Sequence, residues 1–357
     1  MQKKSVKQCL DKLSVKRNEM NPPQVILFIY LLVLLAAALT IRIPLAGLIN
    51  EALVKWAMNG VIVLSLLPMI NVGAGRNFGL PVGLSAGLVG MIFALELRLG
   101  SWQGLSVSLV VGMLVACGFG YAYAHLLNRL KGNEEIVGTF AGYSFIPVMN
   151  LFYTFVPVTN RQMLFPIGGQ GLRPKVNLDP YFGKILDHFL VLQIGSIRIP
   201  LGLLLFFFGI ALLLHYFFKT RTGFIFSAIS ENEVFARFSG VSARRYRIIG
   251  IVMSTIIASI GMIVYSQSYG ILHLYDGPVM MSFPAVSAIV IGGATAGRAT
   301  VRQALIGTFL YQTSFLLSVP VANALLIPEM SEILRSMITN GIILYAFFFE
   351  AKRKRSV

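Results

Sequence analysis

Long apolar runs alternate with short polar or basic stretches along the whole 357-residue chain. A membrane-crossing helix takes about 20 mostly apolar residues. Ten runs come near that length: 25–41, 53–70, 80–97, 103–127, 136–158, 200–218, 248–270, 284–297, 303–321 and 334–350. The pattern predicts an all-α fold, a polytopic membrane helical bundle of about ten transmembrane helices. Runs 136–158, 248–270 and 303–321 contain no Asp, Glu, Lys or Arg, and a single charge at the centre of a span costs about 2.5–3.5 kcal/mol on insertion. Run 284–297 is short. Pro284 opens it and Gly292-Gly293 closes it, which fits half a span or a re-entrant piece. The chain therefore divides into a basic tail 1–24, a membrane domain 25–350 and a basic tail 351–357. The first run, Val25 to Ile41, spans 17 residues, more than the roughly 7–15 of a secretory signal core. Ala36 and Ala38 imitate a cleavage site, but a retained first span is expected.

Composition narrows the class. The chain is 56% hydrophobic and 12% charged, whereas a soluble domain carries about 25% charged residues. The net charge of +16 raises nucleic acid as a partner, but that would need basic residues gathered on one solvated face. Here they flank the apolar runs. With the N-terminus inside, segments 1–24, 71–79, 128–135, 219–247, 298–302 and 351–357 face the cytoplasm and hold most of the Lys and Arg, including Lys352-Arg353-Lys354-Arg355. That distribution follows the positive-inside rule. Both termini and loop 219–247 are expected in the cytoplasm, loop 159–199 outside, and the protein in a plasma or bacterial inner membrane with lipid, not nucleic acid, around it. Cys9 and Cys117 have no disulfide or metal-ligand spacing.

Two loops carry more than connection. In 219–247, Ser230 and Glu233 have the spacing of a capping box, and Gly240 is a natural stop. A helix over 231–239 is expected, with Val234, Phe235 and Phe238 as an apolar stripe. It is too short to stand alone, so it should dock on something: its own bundle, the lipid surface or a cytoplasmic partner. In 159–199, Asp179 followed by Pro180 suggests an N-cap and first helical position, leading an amphipathic helix from Tyr181 to Leu192 at the outer interface. Asp187 and His188 read as its solvated face. Gly168-Gly169-Gln170-Gly171 is a turn rather than a phosphate loop, since no Lys-Ser or Lys-Thr follows. No Walker A sequence occurs, so the chain has no ATP site of the usual kind. No cofactor, metal cluster or catalytic grouping stands out, and His125 and His215 sit near inner span ends. Gly79, Gly83 and Gly87 repeat every four residues on one face of the third run, which lets another helix approach closely.

The segment Gly223 to Gly261 resembles the permease subunits of ABC importers for simple sugars, nucleosides and branched-chain amino acids. The matching residues are Gly223, Ser230-Glu231-Asn232, Ala236, Gly240 and Arg244-Arg245. Asn71-Val72-Gly73 through Gly79 resembles the family's early glycine-rich inner loop, and Ile291-Gly292-Gly293-Ala294 with Gly297 its late double-glycine turn. In order, these cover residues 53–350. The Asn-Val-Gly start is closer to the nucleoside and simple-sugar branch, whereas Arg76-Asn77-Phe78 replaces the Asp-Leu-Ser run of the sugar type. The resemblance implies a type II ABC importer permease paired with a second permease subunit as homo- or heterodimer. It also implies separate ABC ATPase subunits and an extracytoplasmic solute-binding protein. Ser230, Glu231, Glu233, Val234, Phe235, Ala236, Phe238 and Gly240 would then form the ATPase-coupling element.

On this reading the chain does no covalent chemistry and carries a nucleoside or simple sugar, with a branched-chain amino acid as the alternative cargo. Polar residues on otherwise apolar runs should face the bundle interior. Asn59, Asn71, Asn150, Tyr153, Gln267, Gln312 and Thr313 are therefore candidates for the path, each against the alternative of an ordinary interhelical hydrogen bond. An ion-coupled secondary transporter would favour acids at mid-membrane, but Glu96, the acid within the third run, lies at its outer end. A membrane-embedded enzyme finds no clustered catalytic groups.

Overall fold

The computed structural model describes residues 22–130, 132–165 and 171–325, with scattered positions between 333 and 348. Residues 1–21 of the first tail, most of run 334–350 and the last tail lie outside the described residues. Each of the other nine runs falls on a helix. These are α1 (Pro22–Thr40), α2 (Leu45–Leu64) continued by α3 (Leu66–Asn71), α4 (Leu80–Glu96), α5 (Ser101–Arg129) and α6 (Glu134–Phe155). They are followed by α8 (Leu201–Phe217), α11 (Ala243–Tyr269), α12 (Gly277–Ile291) and α13 (Val301–Leu325). Between them lie α7 (Ile185–His188), α9 (Arg221–Glu231) and α10 (Glu233–Phe238). Among the described residues six helices are long and apolar enough to cross a membrane, and α8 with α9 forms a further candidate bent by 73°. The chain is an all-α polytopic bundle. Helices α4 and α12, of 17 and 15 residues, are shorter apolar helices.

The centre of the bundle is α4 against α5 and α11. Almost every residue of α4 is buried, and small residues make this possible. A Cβ on Gly83 would lie 2.8 Å from the Thr255 carbonyl oxygen, and one on Gly87 2.5 Å from that of Ser259. Both neighbours are backbone of α11, so these glycines set the approach of the two helices. Gly79, at the N-cap of α4, instead faces the Tyr123 hydroxyl of α5 and the backbone of Gly142 on α6. The glycine repeat is thus shared among three partners and serves as a packing face.

The connections segregate to two ends. At one end meet the 72–79 turn, the start of α6, the α9–α10 segment and the 294–299 turn. Asn71 Nδ2 donates to the Ala299 carbonyl at 2.8 Å and its Oδ1 accepts from Ala299 N at 2.9 Å. Ser230 Oγ donates to the Gly297 carbonyl. At the opposite end, Glu96 accepts from the backbone N–H groups of Thr159 and Asn160, and Ser101 N donates to the Tyr181 carbonyl. There β1 (Lys175–Asn177) pairs antiparallel with β4 (Ile271–His273), and β2 (Val191–Ile194) with β3 (Ile197–Pro200). Loops assigned by their basic residues to one side share one end, as an even number of spans between them requires.

Three local expectations are corrected. The helix expected over Tyr181–Leu192 is a turn, one short helix (Ile185–His188) and a strand. Lys184 and Leu190 take positive φ, at 55° and 54°, which interrupts any helix. Gly195-Ser196 then closes a two-residue hairpin, Gly195 supplying φ of 59°. Asp179 caps nothing there: its N–H bonds the Asn177 side chain. The eighth run begins seven residues earlier than expected, at Gly277-Pro278, and ends before Gly292. The third correction, in the 219–247 loop, bears on function.

Candidate coupling surface and solute path

Ser230 does not cap a helix. It lies inside α9, whose N-cap is Thr220, and its hydroxyl reaches across to Gly297. The cap of the next helix is Asn232, whose Oδ1 accepts from Phe235 N at 3.0 Å. The expected helix 231–239 is therefore the six residues Glu233–Phe238 after a one-residue break. Asn wins because its short carboxamide reaches the third N–H from an extended backbone. Gly240 ends the segment as expected, with φ of 81° and Val241 N bonded to the Ala236 carbonyl.

On α10 one side chain faces inward. Ala236 is buried against Ile229 and Ala243. Val234, Phe235 and Phe238 are exposed by 63, 67 and 88%, and Phe224 on α9 is exposed as well. Glu231 and Gly240 are exposed too. This leaves a small apolar knob on a helix held by its own bundle through one methyl group and an ion network. In that network Arg247 of α11 bonds Glu134 Oε1 at 2.6 Å and lies 3.8 Å from Glu233 Oε2, which leaves Glu233 Oε1 to Arg237 at 2.6 Å. Beside the network opens a cleft of about 410 Å³ lined by Gly73, Gly75, Glu134, Glu135, Ser230 and Gly297, among others. Sequence reasoning missed Asn232 as the cap, although Asn at that place is a standard signal, and gave no role to Glu134 or Arg247.

The path candidates scatter. Asn59 bonds the Lys55 carbonyl of its own helix. Asn71 is the double clamp already described. Gln267 sits at the hairpin end, where its Oε1 accepts from Leu186 N and its Nε2 donates to Asp187 and Ser268. Burial holds the Asp187 carboxyl above its ordinary range, opposed by hydrogen bonds from Ser268 and Gln267. Gln312 and Thr313 are buried on α13, which packs on α1 and α2. Asn150 and Tyr153 share one face of α6. Tyr153 is 1% exposed, with its hydroxyl beside the fully buried Ser85 hydroxyl of α4; among the described residues Asn150 Oδ1 is buried without a hydrogen-bond partner. Tyr275 closes the group edge-on, ring centroids 6.1 Å from Tyr153. Ser85 and Tyr275 were not singled out from sequence; a serine among glycines and leucines gives no periodic signal.

The bundle of membrane-length helices with an exposed apolar knob on one connecting helix fits a membrane transport subunit. The family model described as the permease component of branched-chain amino acid transport systems matches residues 21–343. The chain belongs to that family, the membrane permeases of ABC importers for branched-chain amino acids and sugars. It is a multi-pass transport subunit rather than an enzyme, in a family that works with ABC ATPases and solute-binding proteins. Neither a curated protein nor a solved structure gives a significant match.

Proposed function

We propose that this chain is the membrane-spanning subunit of an ATP-driven importer for a small polar solute, a nucleoside or a simple sugar, with α10 as the element that seats in the ATPase. The observation that carries this is the exposure of Val234, Phe235 and Phe238 on a short helix capped by Asn232. Burying each contributes about 1.5–3 kcal/mol, enough together to anchor a groove contact. The end bearing α9 and α10 is then cytoplasmic, and the 159–200 segment receives a solute-binding protein outside. A second permease subunit, homologous or identical, completes the pore. The cargo assignment is supported by Ser85, Asn150 and Tyr153: a cluster of buried hydroxyl and amide groups suits a polyhydroxylated solute better than a branched aliphatic side chain.

The test is co-purification with ATPases expressed from the same genome. Phe238→Asp should weaken association about a hundredfold or more, since an uncompensated charge replaces a buried ring, while the melting temperature stays near wild type. Ala236 is unsuitable for this purpose because it is buried. If uptake instead collapses on dissipating the ion gradient while ATP persists, the chain is a secondary transporter and the proposal falls.

A further inference from the structure

Resting on the reading of α10 as the coupling element, we propose that Arg247 is a positioning residue that ties the displacement of α10 to α6 and hence to the Asn150–Tyr153 face. Helix α11 opens with Arg244, Arg245 and Arg247, at the end where the helix dipole disfavours cations. Arg244 and Arg245 are exposed, whereas the Arg247 side chain is 3% exposed. A buried guanidinium needs carboxylate partners, and its two come from different elements. Each is the first residue of its helix: Glu134 of α6 on Nη2, and Glu233 of α10 towards Nη1. A lysine ammonium lacks the planar fork that holds both carboxylates in a fixed geometry. The guanidinium fork therefore links the coupling helix and α6 through α11.

The remainder of α6 suits a moving part. Its outward face leaves Ile136, Phe140, Val148, Leu151 and Phe155 exposed. Its inward face meets the rest of the bundle through Gly138 and Gly142 against Tyr123 and Gly79. Midway, Pro147 cannot donate to the carbonyl one turn back, so the segment bearing Asn150 and Tyr153 can change its angle to the segment bearing Glu134. A pull on Glu134 at one end is expressed beyond Pro147 as a shift of the tyrosine face.

The test uses the full complex of permease and ATPase in lipid nanodiscs, Cys9 and Cys117 replaced by serine, with spin labels at Leu114→Cys and Leu151→Cys, both exposed positions on α5 and α6. The probe is ATP with orthovanadate, and the readout is the distance between labels. Wild type should show a nucleotide-driven change. Arg247→Lys and Glu134→Gln should assemble with the ATPase and hydrolyse ATP, yet shift about tenfold less of the population, within the range of ordinary coupling energies. The pair exchange Glu134→Arg with Arg247→Glu is not expected to restore it, because the carboxylate introduced on α11 would then face Glu233. If Arg247→Lys fails to fold, Glu134→Gln carries the test alone. A wild-type shift in either folded variant overturns the proposal. So does loss of assembly in Glu134→Gln, which would make the network a mere shaper of the docking surface. If the unmodified permease does not assemble with any ATPase, the coupling reading itself fails, and this inference with it.

Discussion

Helices α4 and α6 are both apolar and both touch Gly79, but they are built on different principles. Helix α4 is buried nearly throughout, and its glycines bring α11 within backbone contact. Helix α6 leaves one whole face exposed and is fastened at its start by the Glu134–Arg247 ion pair. Close packing resists displacement because interiors are dense and strain has nowhere to go. A helix interrupted by a proline can change the angle between its two halves. The contrast assigns rigidity to α4 and α11 and motion to α6.

Gly87→Val should break the rigid side most severely. Its Cβ would meet the Ser259 carbonyl at 2.5 Å, a backbone atom that cannot step aside, and the cost should reach about 3 kcal/mol or more. Size-exclusion chromatography in detergent should show loss of the monodisperse peak. Asn71→Ala removes both bonds of the clamp to Ala299 and leaves buried backbone groups unpaired, for about 1–3 kcal/mol; thermal melts should record it. Pro147→Ala, on the mobile side, should change stability by less than about 1 kcal/mol while straightening α6. The nucleotide-driven label shift should shrink with it; an undiminished shift would dissolve the contrast between the two helices.

The smallest effect is expected at Asp187→Asn. The folded state holds that carboxyl above its unfolded value, so the native form binds the proton more tightly. Stability from this group is full below the unfolded value and declines as pH rises through the folded one. The wild-type melting temperature should therefore carry a component that declines as pH rises above the ordinary carboxylate range and that the variant lacks. At neutral pH the variant should melt slightly higher.

Apolar length located nine helices because a lipid-facing helix must satisfy its backbone internally and clothe it in apolar side chains. Periodicity could not resolve the segments that lie in neither lipid nor core. The Tyr181–Leu192 stretch has apolar residues at both helical and alternating spacing, and the two-residue Gly195-Ser196 turn settled the matter for a strand. The knob on α10 was legible as a stripe, but its cap was assigned to Ser230 when Asn232 was equally available. Ser85, Glu134, Arg247 and Tyr275 acquire meaning only through neighbours far away in sequence, which no local pattern encodes.

The Asn71 clamp also constrains how the protein is made. Its partner, Ala299, lies 228 residues later, and Trp56 waits 249 residues for the Leu305 carbonyl. Spans enter the bilayer in order as the ribosome delivers them, so the early helices must wait in the bilayer with donors unmet until the last ones arrive. Truncation before residue 299 should therefore leave a product cleared by membrane proteases rather than a shorter stable bundle.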